Sequence, residues 1–286
     1  MRILSPALLV VAAVTASLAH AQTDTASLTG VVSDPSGALI RNASVTVVNR
    51  DTNGSSSVST NDKGLYFVPN LRPGLYAVAV THPGFKRGEQ SGIALQIGQT
   101  ARVDFRLDVG NSQETVTVTS DASVLETETS DRGSVIGGRE IRELPLNGRD
   151  YMQLAQLSPG VLFQTGRLSE QNFKGGFSAN GNRVFMNAYQ LDGLDNTSYA
   201  ESYRGLNMQA LQPSVDALQE FKIQTNAYAA EFGRSAGAVV NAVIKSGSNQ
   251  IHGSAYEFHR DNHLDANNFF ANSTGTVRPF HLRNQF

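Results

Sequence analysis

The sequence predicts two consecutive folded units, an all-β sandwich and then a mixed α/β unit, behind an export signal and ahead of a short β-type tail. Three observations carry this. A basic residue and an apolar run open the chain. Period-2 alternation broken by turn residues fills residues 27–109, and helix caps and stops appear among strands from 139 onward. A chain of 286 residues has room for two domains of ordinary size.

At the N-terminus, Arg2 precedes the apolar run Ala7–Val14, and Ala19-His20-Ala21 places small residues where a signal peptidase reads them. The run is well short of the ~20 residues that span a bilayer. Cleavage after Ala21 and export are expected.

Ala101-Arg-Val-Asp-Phe-Arg-Leu-Asp-Val109 alternates apolar and charged residues, the pattern of a strand with one buried face. Leu75–Val80 and Ala43–Val48 read the same way. Between such runs stand Asp34-Pro-Ser-Gly37, Asn53-Gly54, Asn61-Asp-Lys-Gly64, Arg72-Pro-Gly74 and His82-Pro-Gly84. Pro presets φ and Gly accepts a positive φ, so each reads as a turn. No helical window interrupts them, and a sandwich follows.

The character then changes. Glu114-Thr-Val-Thr-Val-Thr119 alternates once more. Arg139–Leu144 reads as a short helix stopped by Pro145. Asp150 caps a helix over Tyr151–Leu157, with Gln153 as its capping-box partner and Ser158-Pro-Gly160 as its stop. Pro213 is expected to open another helix through Leu218. Glu220–Thr225 and Gly237–Lys245 read as strands, and the Gly-, Asn- and Ser-rich stretch 172–207 as strands joined by polar loops.

These residues carry two family resemblances. Leu28-Thr-Gly-Val-Val-Ser-Asp-Pro-Ser-Gly-Ala38, Ala43-Ser-Val-Thr-Val47, Thr60-Asn-Asp-Lys-Gly-Leu-Tyr-Phe67 and Leu71-Arg-Pro-Gly-Leu-Tyr76 resemble carboxypeptidase regulatory-like domains. That implies a prealbumin-like sandwich. Glu143-Leu-Pro-Leu-Asn-Gly-Arg-Asp150, Leu157-Ser-Pro-Gly-Val161, Asn180-Gly-Asn-Arg183, Leu191-Asp-Gly-Leu-Asp-Asn196, Val215–Ile223 and Gly237–Gly247 resemble the plug domain of TonB-dependent outer-membrane receptors. The combination looks most like the Oar-like branch. The resemblance implies a signal peptide at 1–21, a sandwich at 24–109, a linker at 110–120, a plug at 121–250 and the start of an outer-membrane barrel at 251–286. It also implies a non-enzymatic transport receptor of the outer membrane, with the periplasmic energy transducer TonB as partner. In the family, TonB grips an extended box upstream of the plug. Glu114, Thr115, Val116, Thr117, Val118 and Thr119 are the candidates for that box. The linker, or the plug's first strand, is an equal reading of the same residues.

Other chemistries find little support. With 23 Lys+Arg against 25 Asp+Glu the chain lacks the basic excess of a nucleic-acid binder. The absence of Cys removes thiolate metal sites and Cys nucleophiles. His259 and His263 stand four apart, but no Glu follows His259 as a zinc protease requires. Asp192, Asp195 and Asn196 read as a turn rather than a calcium loop, because too few oxygen ligands stand in register. Gly175, Gly176 and Gly181 form no dinucleotide fingerprint. No cofactor, metal or catalytic set is expected. The competing class is an exported carbohydrate-binding or adhesion module; Trp is absent, and Tyr66 and Tyr76 fall in strands.

Only 36 residues follow Gln250. A closed membrane barrel needs at least ~8 strands of ~9–11 residues. The expectation is therefore a fragment or early-terminated frame of a receptor, or a soluble relic, that forms no channel alone. Residues 251–286 are expected to lack stable tertiary structure and to expose Tyr256, Phe258, Phe269, Phe270, Phe280 and Phe286.

Overall fold

A computed structural model describes residues 25–110, 115–119, 132–163, 176–199, 208–226, 228, 232–233 and 235–286. The expected signal peptide and its cleavage point lie outside the described residues. The described part is mostly β-structure with few helices.

The N-terminal unit is a sandwich of two sheets. In the first, β1 (Ala26–Ser33) lies between antiparallel β4 (Leu65–Leu71) and two short parallel strands, β7 (Thr100–Arg102) and β8 (Phe105–Arg106). In the second, the order is β3 (Ser55–Ser59), β2 (Ser44–Asn49), β5 (Gly74–Thr81), β6 (Arg87–Leu95) and β9 (Thr115–Thr119). Alternation in the sequence becomes alternation of burial, and Leu28, Val32, Val45, Val47, Tyr66, Val78, Val80, Ile93 and Leu107 close one core between the sheets. No helix occurs among the described residues of 25–110.

The expected strand Ala101–Val109 is split. Its alternating burial persists through Leu107, but the ladder to β1 breaks at Val103 and Asp104. The Tyr66 hydroxyl donates to the Val103 carbonyl at 2.6 Å, and the Asp104 carboxylate accepts the Val31 N–H at 2.8 Å in place of a backbone oxygen. Val109, read as core-facing, is 72% exposed because it follows the last core position.

The second unit is built on the sheet β10 (Arg132–Gly137), β15 (Leu218–Asn226), β16 (Val239–Ile244), β13 (Ala188–Leu191) and β14 (Leu194–Asp195). β16 runs antiparallel to β15 and parallel to β13. One face carries Ile136, Phe221, Ile223, Val240, Ala242 and Tyr189 into a core with Ile141, Tyr151, Met152 and Leu154. The pair β11 (Val161–Phe163) and β12 (Phe177–Ala179) joins this core through Val161 and Phe177.

The short helix Gly138–Glu143 forms ahead of Pro145 as the sequence predicts. Tyr151–Leu157 is helical but of the tighter 3-10 type. Asp150 caps it by accepting the Met152 N–H at 3.0 Å, and the Gln153 N–H bonds the Asp150 carbonyl three residues back. The helix expected from Pro213 is absent. Residues 215–217 make a turn and Leu218 already begins β15. So short a run cannot repay helix nucleation. The Ala217 carbonyl instead accepts the Lys245 N–H at 2.8 Å, which extends the sheet.

Residues 251–286 contain regular structure that the sequence reading did not place. β17 (Phe258–Asp261) pairs with β18 (Leu282–Gln285), and a one-turn helix covers Phe269–Ser273. Phe269, Phe270, Phe280 and Phe286 are exposed as expected. Tyr256 and Phe258 are half-buried.

Gly30 is where the sandwich tolerates least. A Cβ there would fall on the Val103 carbonyl oxygen and 2.8 Å from the Tyr66 ring. Gly30→Ala is expected to lower stability by about 3 kcal/mol in urea unfolding followed by circular dichroism, as overpacking against backbone does. An unchanged midpoint would show that the β1–β8 region yields freely.

Candidate functional site

Five of the six residues expected to form the partner-binding box are placed; Glu114 lies outside the described residues. Thr115–Thr119 is β9, an extended strand running parallel to β6, with Arg87 opposite Thr115, Glu89 opposite Thr117 and Ser91 opposite Thr119. This differs from both expected alternatives. The segment is neither a bare linker nor a strand of the second unit, but the outermost strand of the sandwich's larger sheet. β6 offers it a backbone partner close over the core: a Cβ at Gly88 would lie 2.8 Å from Leu107 and 3.3 Å from Phe105. Thr and Val are the residues that favour such a strand.

The two units meet at a second place. Phe221 and Ile223 of β15 enter the apolar core, so Glu220, Lys222 and Gln224 share the opposite face, and all three are buried. Asn241 of β16, opposite Lys222 in the ladder, is buried beside them. The turn between β6 and β7 lies against this polar face. The Ile97 N–H donates to the Glu220 carboxylate, and a Cβ at Gly98 would sit 3.7 Å from the Lys222 ammonium nitrogen. Ile97 is fully buried yet stands outside the sandwich core. The Asn249 N–H adds a bond to the Asp51 carbonyl at 3.0 Å.

Burial pushes the Glu220 carboxyl up to about 7, against the opposing pull of the Ile97 N–H and Lys222. Sequence reading misses this residue for an identifiable reason. Polar residues alternating with Phe221 and Ile223 look like a solvated face, and only the sandwich's approach buries them.

A third cluster joins motifs far apart in sequence. Arg149 binds Asp216 at 2.7 Å, and its guanidinium carbon lies 3.6 Å from the centre of the Tyr256 ring. The segment around Arg149, the turn before β15 and the start of the tail thus share one ion pair capped by an aromatic ring. A part-buried pair of this kind is worth more than a fully exposed one.

The remaining candidates serve local structure. Asp192 and Gly193 both take positive φ, at 49° and 76°, in the turn between β13 and β14. The Asp192 carboxylate accepts the Ile244 N–H, Asp195 accepts the Thr197 N–H and the Tyr199 hydroxyl, and Asn196 bonds both backbone groups of Leu211. His259 contacts the Asn284 side chain at 2.7 Å and His263 the Asp261 carboxylate at 2.6 Å. Among the described residues, no three His, Asp or Glu side chains group as a metal site would require.

Comparison with known proteins finds matches to two segments and to one longer relative. Residues 27–108 match the carboxypeptidase regulatory-like domain. Residues 243–286 match an outer membrane beta barrel domain. The chain is 31% identical over 220 residues to the TonB-dependent transporter Oar of Myxococcus xanthus, an alignment covering 74% of this chain and 19% of that protein. The chain thus spans about a fifth of the length of this relative. Among solved structures, the Bacillus anthracis TIE protein is similar at 24% identity, over 29% of this chain and 16% of that one, with a TM-score of 0.25. A group B streptococcus pilus 2b backbone protein is similar at 15% identity, over 31% of this chain and 43% of that one, also with a TM-score of 0.25.

The junction between the units makes a pH prediction. With the Glu220 carboxyl raised from 4.5 to about 7 in the folded chain, its contribution is complete below pH 4.5. It is lost as pH rises toward 7, because the unfolded chain ionises first. The loss is on the order of 3 kcal/mol. Glu220→Gln keeps an acceptor for the Ile97 N–H and should flatten the slope of thermal midpoint against pH between 4.5 and 7.5 (order of the shift). An unchanged slope would place the titration elsewhere.

Proposed function

We propose that this chain is the N-terminal part of a TonB-dependent outer-membrane transport receptor. The supporting observation is its 31% identity over 220 residues to a TonB-dependent transporter, a stretch reaching well past the 27–108 domain into the second unit. The barrel-family match at 243–286 follows in the order such a receptor requires. In this reading residues 1–21 direct export and are cleaved after Ala21, residues 24–109 are a periplasmic regulatory-like domain, residues 121–250 are the plug, and 251–286 lead into the barrel. The plug gates substrate passage, and its sheet β10–β15–β16–β13–β14 is the element that a pull from the periplasm rearranges.

Glu114–Thr119 is the segment TonB grips. Strand addition needs an extended stretch whose main-chain groups can pair with a partner's sheet edge, and β9 is already extended. The carbohydrate-binding alternative gains nothing specific. Tyr66 and Tyr76 are both buried in the sandwich core and offer no stacking platform.

A peptide covering 111–121 is expected to bind the TonB C-terminal domain in isothermal calorimetry. Val116→Pro should abolish that binding, since Pro removes an N–H and resists strand pairing. Equal binding by the Pro peptide would remove these residues from the role.

A further inference from the structure

We propose that the end of the second unit's sheet where Arg142 and Lys245 converge is an anion site, and that it takes the dianionic phosphate group of a phosphate monoester. The site lies apart from β9 and does not depend on the reading of Glu114–Thr119. Sheet register brings its residues together. Leu218 at the start of β15 pairs with Ile244 at the end of β16, so Asp216 and Lys245 meet just beyond that rung. Gly137, the last residue of β10, pairs with Glu220, so the helix Gly138–Glu143 leaves from the same end and carries Arg142 there. A cavity of about 740 Å³ opens between them, bounded on the sandwich side by Asp51 and Pro73. That is room for an organic ester rather than a bare ion.

The charges around the cavity decide the sign of its ligand. The Asp216 carboxylate is already engaged: Arg149 holds one oxygen at 2.7 Å, and the Ser254 hydroxyl donates to the other at 3.3 Å. The Lys245 ammonium donates instead to the neutral Asp216 backbone carbonyl at 2.7 Å. Among the described residues Arg142 has no ion-pair partner. Burial and the Arg142 charge hold the Lys245 ammonium below its usual value, with Asp216 opposing them. An anion between the two cations would replace their repulsion with charge-assisted hydrogen bonds. Asp51 brings a negative charge to the facing wall, but it is not among the groups that act on Lys245.

The same features select phosphate. A carboxylate brings one charge to two cations, whereas a phosphate monoester brings about two at neutral pH, with several acceptor oxygens. Arg supplies a planar fork and Lys a compact point charge, and phosphate suits both. Ser246 and His252 line the cavity as further hydrogen-bonding groups.

Isothermal calorimetry on the full chain would titrate glycerol 3-phosphate and acetate. Flotation would use phosphatidylcholine vesicles with and without phosphatidic acid, whose headgroup is also a monoester. The expected result is binding of a monoester, weakened about tenfold or more by Arg142→Gln and by Lys245→Met. Asp51→Asn should tighten it about threefold. Arg139→Gln, which removes an exposed cation of the same helix outside the cavity, should leave it unchanged. Arg142 is exposed, so its variant reports on binding even if Lys245→Met fails to fold. Flotation that requires phosphatidic acid and is lost in Arg142→Gln would support the site and assign it to a lipid headgroup. Binding of glycerol 3-phosphate alone would support it and assign it to a soluble ester. Acetate bound as tightly as the ester, no binding of either monoester, or binding that both variants leave unchanged would each overturn the proposal.

Discussion

A row of backbone N–H and C=O groups along a strand must be paired, blocked or left in water, and this requirement organises the chain from end to end. β1 is central because it satisfies both of its rows, with β4 on one side and β7 and β8 on the other. Where its second ladder breaks, the Asp104 carboxylate takes the N–H of Val31 that would otherwise be stranded. β6 meets the same need by accepting β9, which arrives from beyond the sandwich's last core position. Among the described residues β17 and β18 pair only with one another, and the tail's apolar side chains remain largely in water.

Main-chain pairing also explains why the two units touch where they do. A sheet with one apolar and one polar face can leave the polar face to solvent, yet here Glu220, Lys222, Gln224 and Asn241 are covered. A buried carboxylate demands a donor, and the N–H of the buried Ile97 in the turn between β6 and β7 provides one. The junction thus couples regulatory-like domain and second unit through a group whose charge responds to pH. The Arg149–Asp216 pair with Tyr256 does the corresponding work at the other end, tying the second unit to the start of the tail.

Much of this was legible in advance, and the failures share a cause. Strands stand where Leu75–Val80, Ala43–Val48 and Gly237–Lys245 read as such, at Gly74–Thr81, Ser44–Asn49 and Val239–Ile244, because each run is mostly apolar and rich in Val. Gly37, Gly64 and Gly84 take the positive φ their turns require. The helix read at Pro213 failed because a local start signal was outvoted by the sheet, which claims Leu218 and the Ala217 carbonyl. The burial of Glu220 and Lys222 was not legible, because alternation reports polarity, not what another unit lays over it. The candidate segment was legible as a strand from Thr115 to Thr119, but not the strand it would join.

By itself the sequence determined the order of the units, the strands of the sandwich and the extended character of residues 115–119. These depend on neighbours within a few positions, where side-chain period and turn chemistry act. Only the tertiary structure decided that β9 closes on β6, that Ile97 reaches Glu220, and that Arg149 meets Asp216 beneath Tyr256. Those pairings join residues tens to more than a hundred positions apart. Each partner is one of several chemically equivalent groups in the chain, and which one is met depends on how the sheets pack in space.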